Sequence, residues 1–233
     1  LETYASYGIS RLPRYTPLLP ALAERGGVYA FCHARGGGEL GDAWRDAAFQ
    51  ATKSVTWRDT LACAEAMIAS GYTSPDYLVA GGASAGGIAA GNAVNERPDL
   101  FAAALFQVGL HNTVRLEQGP AGRSNSQEFG SASTAEGFRS LLAMDSYLGV
   151  KDGVAYPAVL IATGRTDPRV PVWQPAKMAA RLQAATRSAS PVLLRIEEHA
   201  GHGVGSAQSQ REEMMADALA FVFAHVGRGT RSG

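Results

Sequence analysis

What the sequence lacks already narrows the field. No apolar run approaches the roughly 20 residues that a membrane-spanning helix requires, so a soluble protein is expected. Neither sign of charge predominates: 21 Lys and Arg face 21 Asp and Glu. No net field exists to draw the chain onto nucleic acid or an anionic membrane, and neither partner is expected. A small or neutral substrate fits better. Cysteine is scarce, with only Cys32 and Cys63 in 233 residues. Both lie in apolar stretches, where a buried free thiol is the default expectation over a disulfide. Internal repeats and low-complexity segments are absent. The first residues are Leu-Glu-Thr-Tyr with no methionine, so an upstream segment is expected to have been removed or to be outside the sequence. The lack of a signal peptide is then uninformative. The cytoplasm is the default expectation, with a periplasmic or secreted location left open.

What is present suffices for one substantial core: 46% of the residues are hydrophobic, and α/β folds of this length commonly form one domain. Apolar runs of strand length occur at residues 28–33, 77–82, 101–107, 158–163 and 192–196. Continuous runs suit parallel strands covered on both faces. Helical patterns lie between and after them. Residues 57–70 follow a Thr56-x-x-Asp59 capping pattern and stop at Gly71, with Pro75 beyond. Residues 173–186 form a second helix candidate, and 211–226 a third with Met215, Leu219, Val222 and Val226 on one stripe. The alternation predicts an α/β fold, a mostly parallel sheet with helices on both faces and its site at the strand C-terminal ends. Two polar, glycine-bearing stretches, 35–56 and 111–133, read as long functional loops. The domain is expected to span 1–226, with 227–233 an unstructured tail.

Gly82-Ala83-Ser84-Ala85-Gly86 directly follows one strand and precedes a small-residue helix. A nucleophile elbow needs this context, because the tight turn leaves no room for large neighbours. Ser84 is the candidate nucleophile, and the Ala85 N–H the candidate donor to a developing oxyanion. The alternative is a turn in which Ser84 merely caps a helix.

A serine hydroxyl needs an imidazole to take its proton, and the imidazole needs a carboxylate to fix its tautomer. In α/β-hydrolases the chain order is nucleophile, acid, histidine. His199 and His202 both come late enough. His202, in Ala200-Gly201-His202-Gly203, has the freer loop and is preferred. Asp167 follows the strand at 158–163 and is preferred as the acid over Asp152, which precedes it. Glu198, His199 and His202 could be read as metal ligands, but they lack a helix and a third clear donor, so no metal is expected. Gly36-Gly37-Gly38-Glu39-Leu40-Gly41 formally matches a dinucleotide-binding turn. No helix follows at once and Asp59 falls in a helix, so no cofactor is expected either.

With these residues placed, the sequence resembles the catalytic domain of the prolyl oligopeptidase family of serine peptidases, an α/β-hydrolase fold. The likeness runs through Arg35-Gly36-Gly37-Gly38-Glu39-Leu40-Gly41, Gly71-Tyr72-Thr73-Ser74-Pro75, the serine elbow, Arg97-Pro98-Asp99-Leu100-Phe101, Asp167-Pro168-Arg169-Val170 and Ala200-Gly201-His202-Gly203. It implies a triad of Ser84, Asp167 and His202. It further implies that Tyr4, in Tyr4-Ala5-Ser6-Tyr7, completes the oxyanion hole and that Arg169 holds a substrate backbone carbonyl. Tyr7, Asn125 and Phe129 fall at substrate-binding positions by the same resemblance.

Family members that cut after proline stack its ring on a tryptophan ahead of an acid-aromatic-glycine step. Here that step is Glu128-Phe129-Gly130, and Arg123-Ser124-Asn125-Ser126 before it has no aromatic. A strict proline preference is therefore not implied. The family's β-propeller is not in this sequence, and its topology calls for strands ahead of Tyr4. An upstream propeller domain and a homo-oligomer are both left open as partners. The expected activity is hydrolysis of short peptides, with small acyl esters as the alternative. A catalytically dead binding module would lack a triad member.

Overall fold

The computed structural model describes residues 1–203 and 207–227. In chain order its elements are β1 (Glu2–Thr3), α1 (Leu18–Ala23), β2 (Phe31–Cys32), α2 (Asp42–Asp46), α3 (Ser54–Ala69), β3 (Val79–Ala83) and α4 (Gly86–Glu96). There follow β4 (Ala103–Gln107), α5 (Gly122–Phe129), α6 (Ala135–Ala143), β5 (Ala158–Gly164), α7 (Trp173–Ala185), β6 (Val192–Glu197) and α8 (Gln208–His225). The strands form one sheet in the order β2-β1-β3-β4-β5-β6, every adjacent pair parallel.

The apolar runs explain the layering. All of β5 is buried, because α7 covers one face of the sheet and α8 the other. Trp57, Leu61, Ile88, Val94, Met178 and Leu182 bring α3, α4 and α7 onto the first face, against Ala80, Phe106, Val159 and Ile161. On the second face Phe221 of α8 meets Ala103, Ala158 and Leu160. Such burial stabilises by about 25 cal/mol per Å² of apolar surface. The small residues of α4 let it lie directly on the sheet: a Cβ at Gly82 would stand 2.3 Å from the Gly86 carbonyl oxygen.

Several expectations change. Cys32 and Cys63 are joined in a disulfide between β2 and α3, not free thiols. The strand and the helix that each thiol was assigned to pack side by side, which the sequence does not reveal. Thr56 and Asp59 do not cap α3, which starts earlier, at Ser54. The Thr56 hydroxyl instead donates to the Arg35 carbonyl at 2.8 Å, and Asp59 accepts from the Arg35 backbone N–H and guanidinium. Both residues tie the helix to the glycine-rich loop. That loop stretch contains α2, and the second polar stretch contains α5, so neither is structureless. Of the expected tail, residues 228–233 lie outside the described residues.

Candidate active site

Ser84 sits at the C-terminal end of β3 with φ of +53°. This left-handed conformation costs a non-glycine residue about 1–2 kcal/mol and persists only where neighbours enforce it. Here the Ser84 N–H donates to the Gln107 carbonyl at 2.9 Å, while the Ser84 carbonyl accepts from Gly87 and Leu110 at 3.0 and 2.9 Å. The result is a side chain lifted off the sheet edge at the start of α4. Among the described residues no protein acceptor takes the Ala85 N–H, which therefore remains available to a ligand.

Asp167 and His202 come from the loops after β5 and β6, and those two loops are fastened to each other. The Thr166 N–H and hydroxyl both donate to the Ala200 carbonyl, at 3.3 and 3.1 Å. Only glycine fits at Gly164, where a Cβ would stand 2.1 Å from the Ala200 oxygen. Asp167 Oδ1 accepts from the N–H groups of Arg169 and Val170 at 2.8 and 2.9 Å, and Oδ2 lies 2.7 Å from His202 Nδ1. Burial pushes this carboxyl up, but the His202 contact and the two N–H bonds outweigh it and hold Asp167 below the usual carboxylate range. An ionised carboxylate only accepts, so His202 Nδ1 must carry the hydrogen. In the neutral ring Nε2 then presents its lone pair to Ser84 Oγ, 3.0 Å away. His199 is exposed and joins none of this. Glu198 pairs instead with Arg165, at 2.9 Å.

Tyr4 directly follows an element the sequence did not announce. β1 is only two residues long, yet it lies between β2 and β3, with Thr3 in register with Gly82. Tyr4 thus emerges beside the elbow, and a Cβ on Gly86 would be 3.3 Å from its Cα. Burial raises the Tyr4 phenol above its ordinary pKa, while Arg169 and Arg11 draw it down. The exposed Arg169 also draws down the Tyr7 phenol, which burial raises.

Tyr7 donates from its hydroxyl to Asn125 Oδ1 at 2.8 Å and meets the Phe129 ring edge-on, centroids 5.4 Å apart. Phe129 is fully buried and Asn125 nearly so. Both meet Tyr7, which is itself only half-buried. Two charged residues nearby carried no assigned role in the sequence: Lys53, buried in an otherwise polar stretch, and Glu128, visible only as the acid of its three-residue step. The glycine-rich run belongs to the same neighbourhood. The Gly8 N–H donates to the Gly36 carbonyl at 3.1 Å, and a Cβ on Gly38 would be 2.1 Å from the Gly8 oxygen. Its glycines serve close backbone approach. A cavity of about 660 Å³ lies on the α1 and α8 side, lined by Leu18, Leu22, Tyr77, Val222 and Phe223, and no triad side chain faces it. Chemistry, not volume, locates the site.

Comparison with known proteins identifies relatives of the chain. Residues 14–229 match the model of the prolyl oligopeptidase family. The chain is 35% identical to a prolyl endopeptidase of Elizabethkingia miricola over 228 residues, covering 97% of this chain and 32% of that protein. It is 31% identical to dipeptidyl aminopeptidase BI of Pseudoxanthomonas mexicana, covering 96% and 31%. Among solved structures, a prolyl endopeptidase superposes with a TM-score of 0.93 at 33% identity, over 96% of this chain and 33% of that one. Oligopeptidase B from Leishmania major gives 0.91 at 31%, over 96% and 32%. The chain spans about a third of the length of these relatives. The fold is that of an α/β-hydrolase, and the chain belongs to the prolyl oligopeptidase family.

Proposed function

We propose that residues 1–226 form the catalytic domain of a serine peptidase that cleaves short peptides through an acyl-enzyme on Ser84. The observation that carries this reading is His202, bonded through one ring nitrogen to Asp167 and through the other to Ser84. Ser84 Oγ attacks the substrate carbonyl carbon as its proton passes to His202 Nε2. The carbonyl electron pair moves onto oxygen, where the Ala85 N–H and the Tyr4 hydroxyl receive it; each such donor contributes about 3 kcal/mol. Asp167 stays ionised and stabilises the imidazolium. The C–N bond then breaks, the amine leaves with the proton from His202, and water repeats the sequence on the ester. Arg169 holds a substrate backbone carbonyl, and Tyr7, braced by Asn125 and Phe129, borders the substrate.

Acyl transfer to ester or amide uses the same groups. The relatives named above are peptidases, which favours peptides over small esters. Asn125 offers no ring on which proline could stack. We expect kcat/KM on a proline anilide and an alanine anilide to differ by less than about tenfold, with Ser84→Ala lowering both at least about 1,000-fold. Ester turnover without any anilide turnover would overturn the peptidase assignment.

For the compartment, the Cys32–Cys63 disulfide favours an oxidising environment over the cytoplasm. Among the described residues no helix is long and apolar enough to cross a membrane. Protein quenched in acid directly from cells, then alkylated in denaturant near neutral pH without reductant, should show neither cysteine modified. Modification of both would return the protein to a reducing compartment.

A further inference from the structure

The segment after β1 is bent in a way its sequence resists. Ala5, Tyr7 and Gly8 all have positive φ, at 46°, 60° and 63°. Only the last is a glycine, so two residues in three occupy a conformation that surrounding contacts must impose. Those contacts come from a buried ion pair. Lys53, 1% exposed, donates from Nζ to the Ala5 carbonyl at 2.7 Å. Glu128, 3% exposed, accepts the Tyr7 N–H on Oε1 at 2.8 Å. The two side chains are 3.5 Å apart, and Arg45 approaches the other Glu128 oxygen at 3.5 Å. One pair therefore grips a carbonyl and an N–H on either side of Ser6, at the two strained residues.

Nothing in stability requires this. A buried ion pair is commonly no better than well-packed apolar groups of the same volume, because desolvation cancels much of the attraction. Burial pulls the Lys53 ammonium down to about 8 against the opposing pull of Glu128. What the pair supplies and an apolar contact cannot is direction, since both of its bonds act on named backbone atoms.

We propose that Lys53 and Glu128 are positioning residues: through the backbone of residues 4–8 they set the Tyr4 hydroxyl at the place where the oxyanion forms. Neither touches substrate. The inference rests on the reading of Tyr4 as an oxyanion donor, and its test separates the two.

The experiment is a double-mutant cycle in the full-length protein, following kcat and KM on a peptide anilide with Tyr4→Phe, Lys53→Met and the double variant. Tyr4→Phe should lower kcat about 100-fold. Lys53→Met alone should lower kcat about 10- to 100-fold with little change in KM, as displacement of a catalytic group does. In the Tyr4→Phe background the same change should cost no more than about twofold, because the group it positions is already gone. Equal losses in both backgrounds overturn the positioning role and leave Tyr4 as a donor. An unchanged kcat in Tyr4→Phe overturns the donor reading and the positioning role together. If Lys53→Met does not fold, Glu128→Met replaces it in the cycle, since it keeps the side-chain length while removing the acceptor of the Tyr7 N–H; the same three outcomes decide.

Discussion

His111 shows how differently one residue type behaves in two places of this molecule. It is fully buried, its Nδ1 lies 3.0 Å from Ser146 Oγ, and its ring packs on Phe106. Among the described residues its Nε2 has no partner. Burial lowers its pKa from 6.5 to about 3. The unfolded chain takes up a proton on this ring below pH 6.5, whereas the folded chain does so only near pH 3. Stability is therefore lost as pH falls through that window. His111→Gln should flatten the dependence of unfolding free energy on pH between 6.5 and 3, measured by denaturant titration; parallel curves for variant and parent would contradict the assignment. His202, by contrast, has both nitrogens engaged across two loops. The difference was legible in the sequence because position after a late strand, flanking glycines and chain order together single out His202. Lys53 was not legible: its role depends on an acid far along the chain and on burial that its polar neighbours do not announce.

Among the elements, the junction of β1, β3 and α4 decides the site. The first turn of α4 lies against the end of β1 so closely that a Cβ on Gly86 would stand 2.5 Å from the Thr3 carbonyl oxygen. Backbone on both sides leaves nothing flexible to yield. Gly86→Ala should force β1 and α4 apart, destabilise the fold by about 1–3 kcal/mol as overpacking does, and lower kcat by displacing Tyr4. A variant with unchanged stability and kcat would show that this contact positions nothing. The elbow itself could be read in advance, since a strand, a turn of small residues and a helix follow one another in the sequence. β1 could not, because two residues carry no periodicity. The Cys32–Cys63 bond was hidden for a related reason: whether two thiols can join depends on a Cα separation, 6.1 Å here, that only tertiary structure defines. Thr56 and Asp59 misled because a local capping pattern and a long-range tie to Arg35 use the same side chains.

For the molecule as a whole, parallel strands in a single sheet bring the loops after β1, β3, β5 and β6 to one end, where Tyr4, Ser84, Asp167 and His202 gather. The apolar runs and their order foretold that architecture, and the family motifs supplied the loop residues proposed for the chemistry. The cavity beside α8 is lined by none of these four. Everything then turns on whether Ser84 is the activated nucleophile. The most direct measurement is mass spectrometry of the protein after brief exposure to a fluorophosphonate. One adduct should form, on Ser84, in the parent protein, and its rate of formation should collapse in His202→Ala while the fold is retained. An adduct on another serine, no adduct at all, or labelling of Ser84 at an equal rate without His202 would contradict the account.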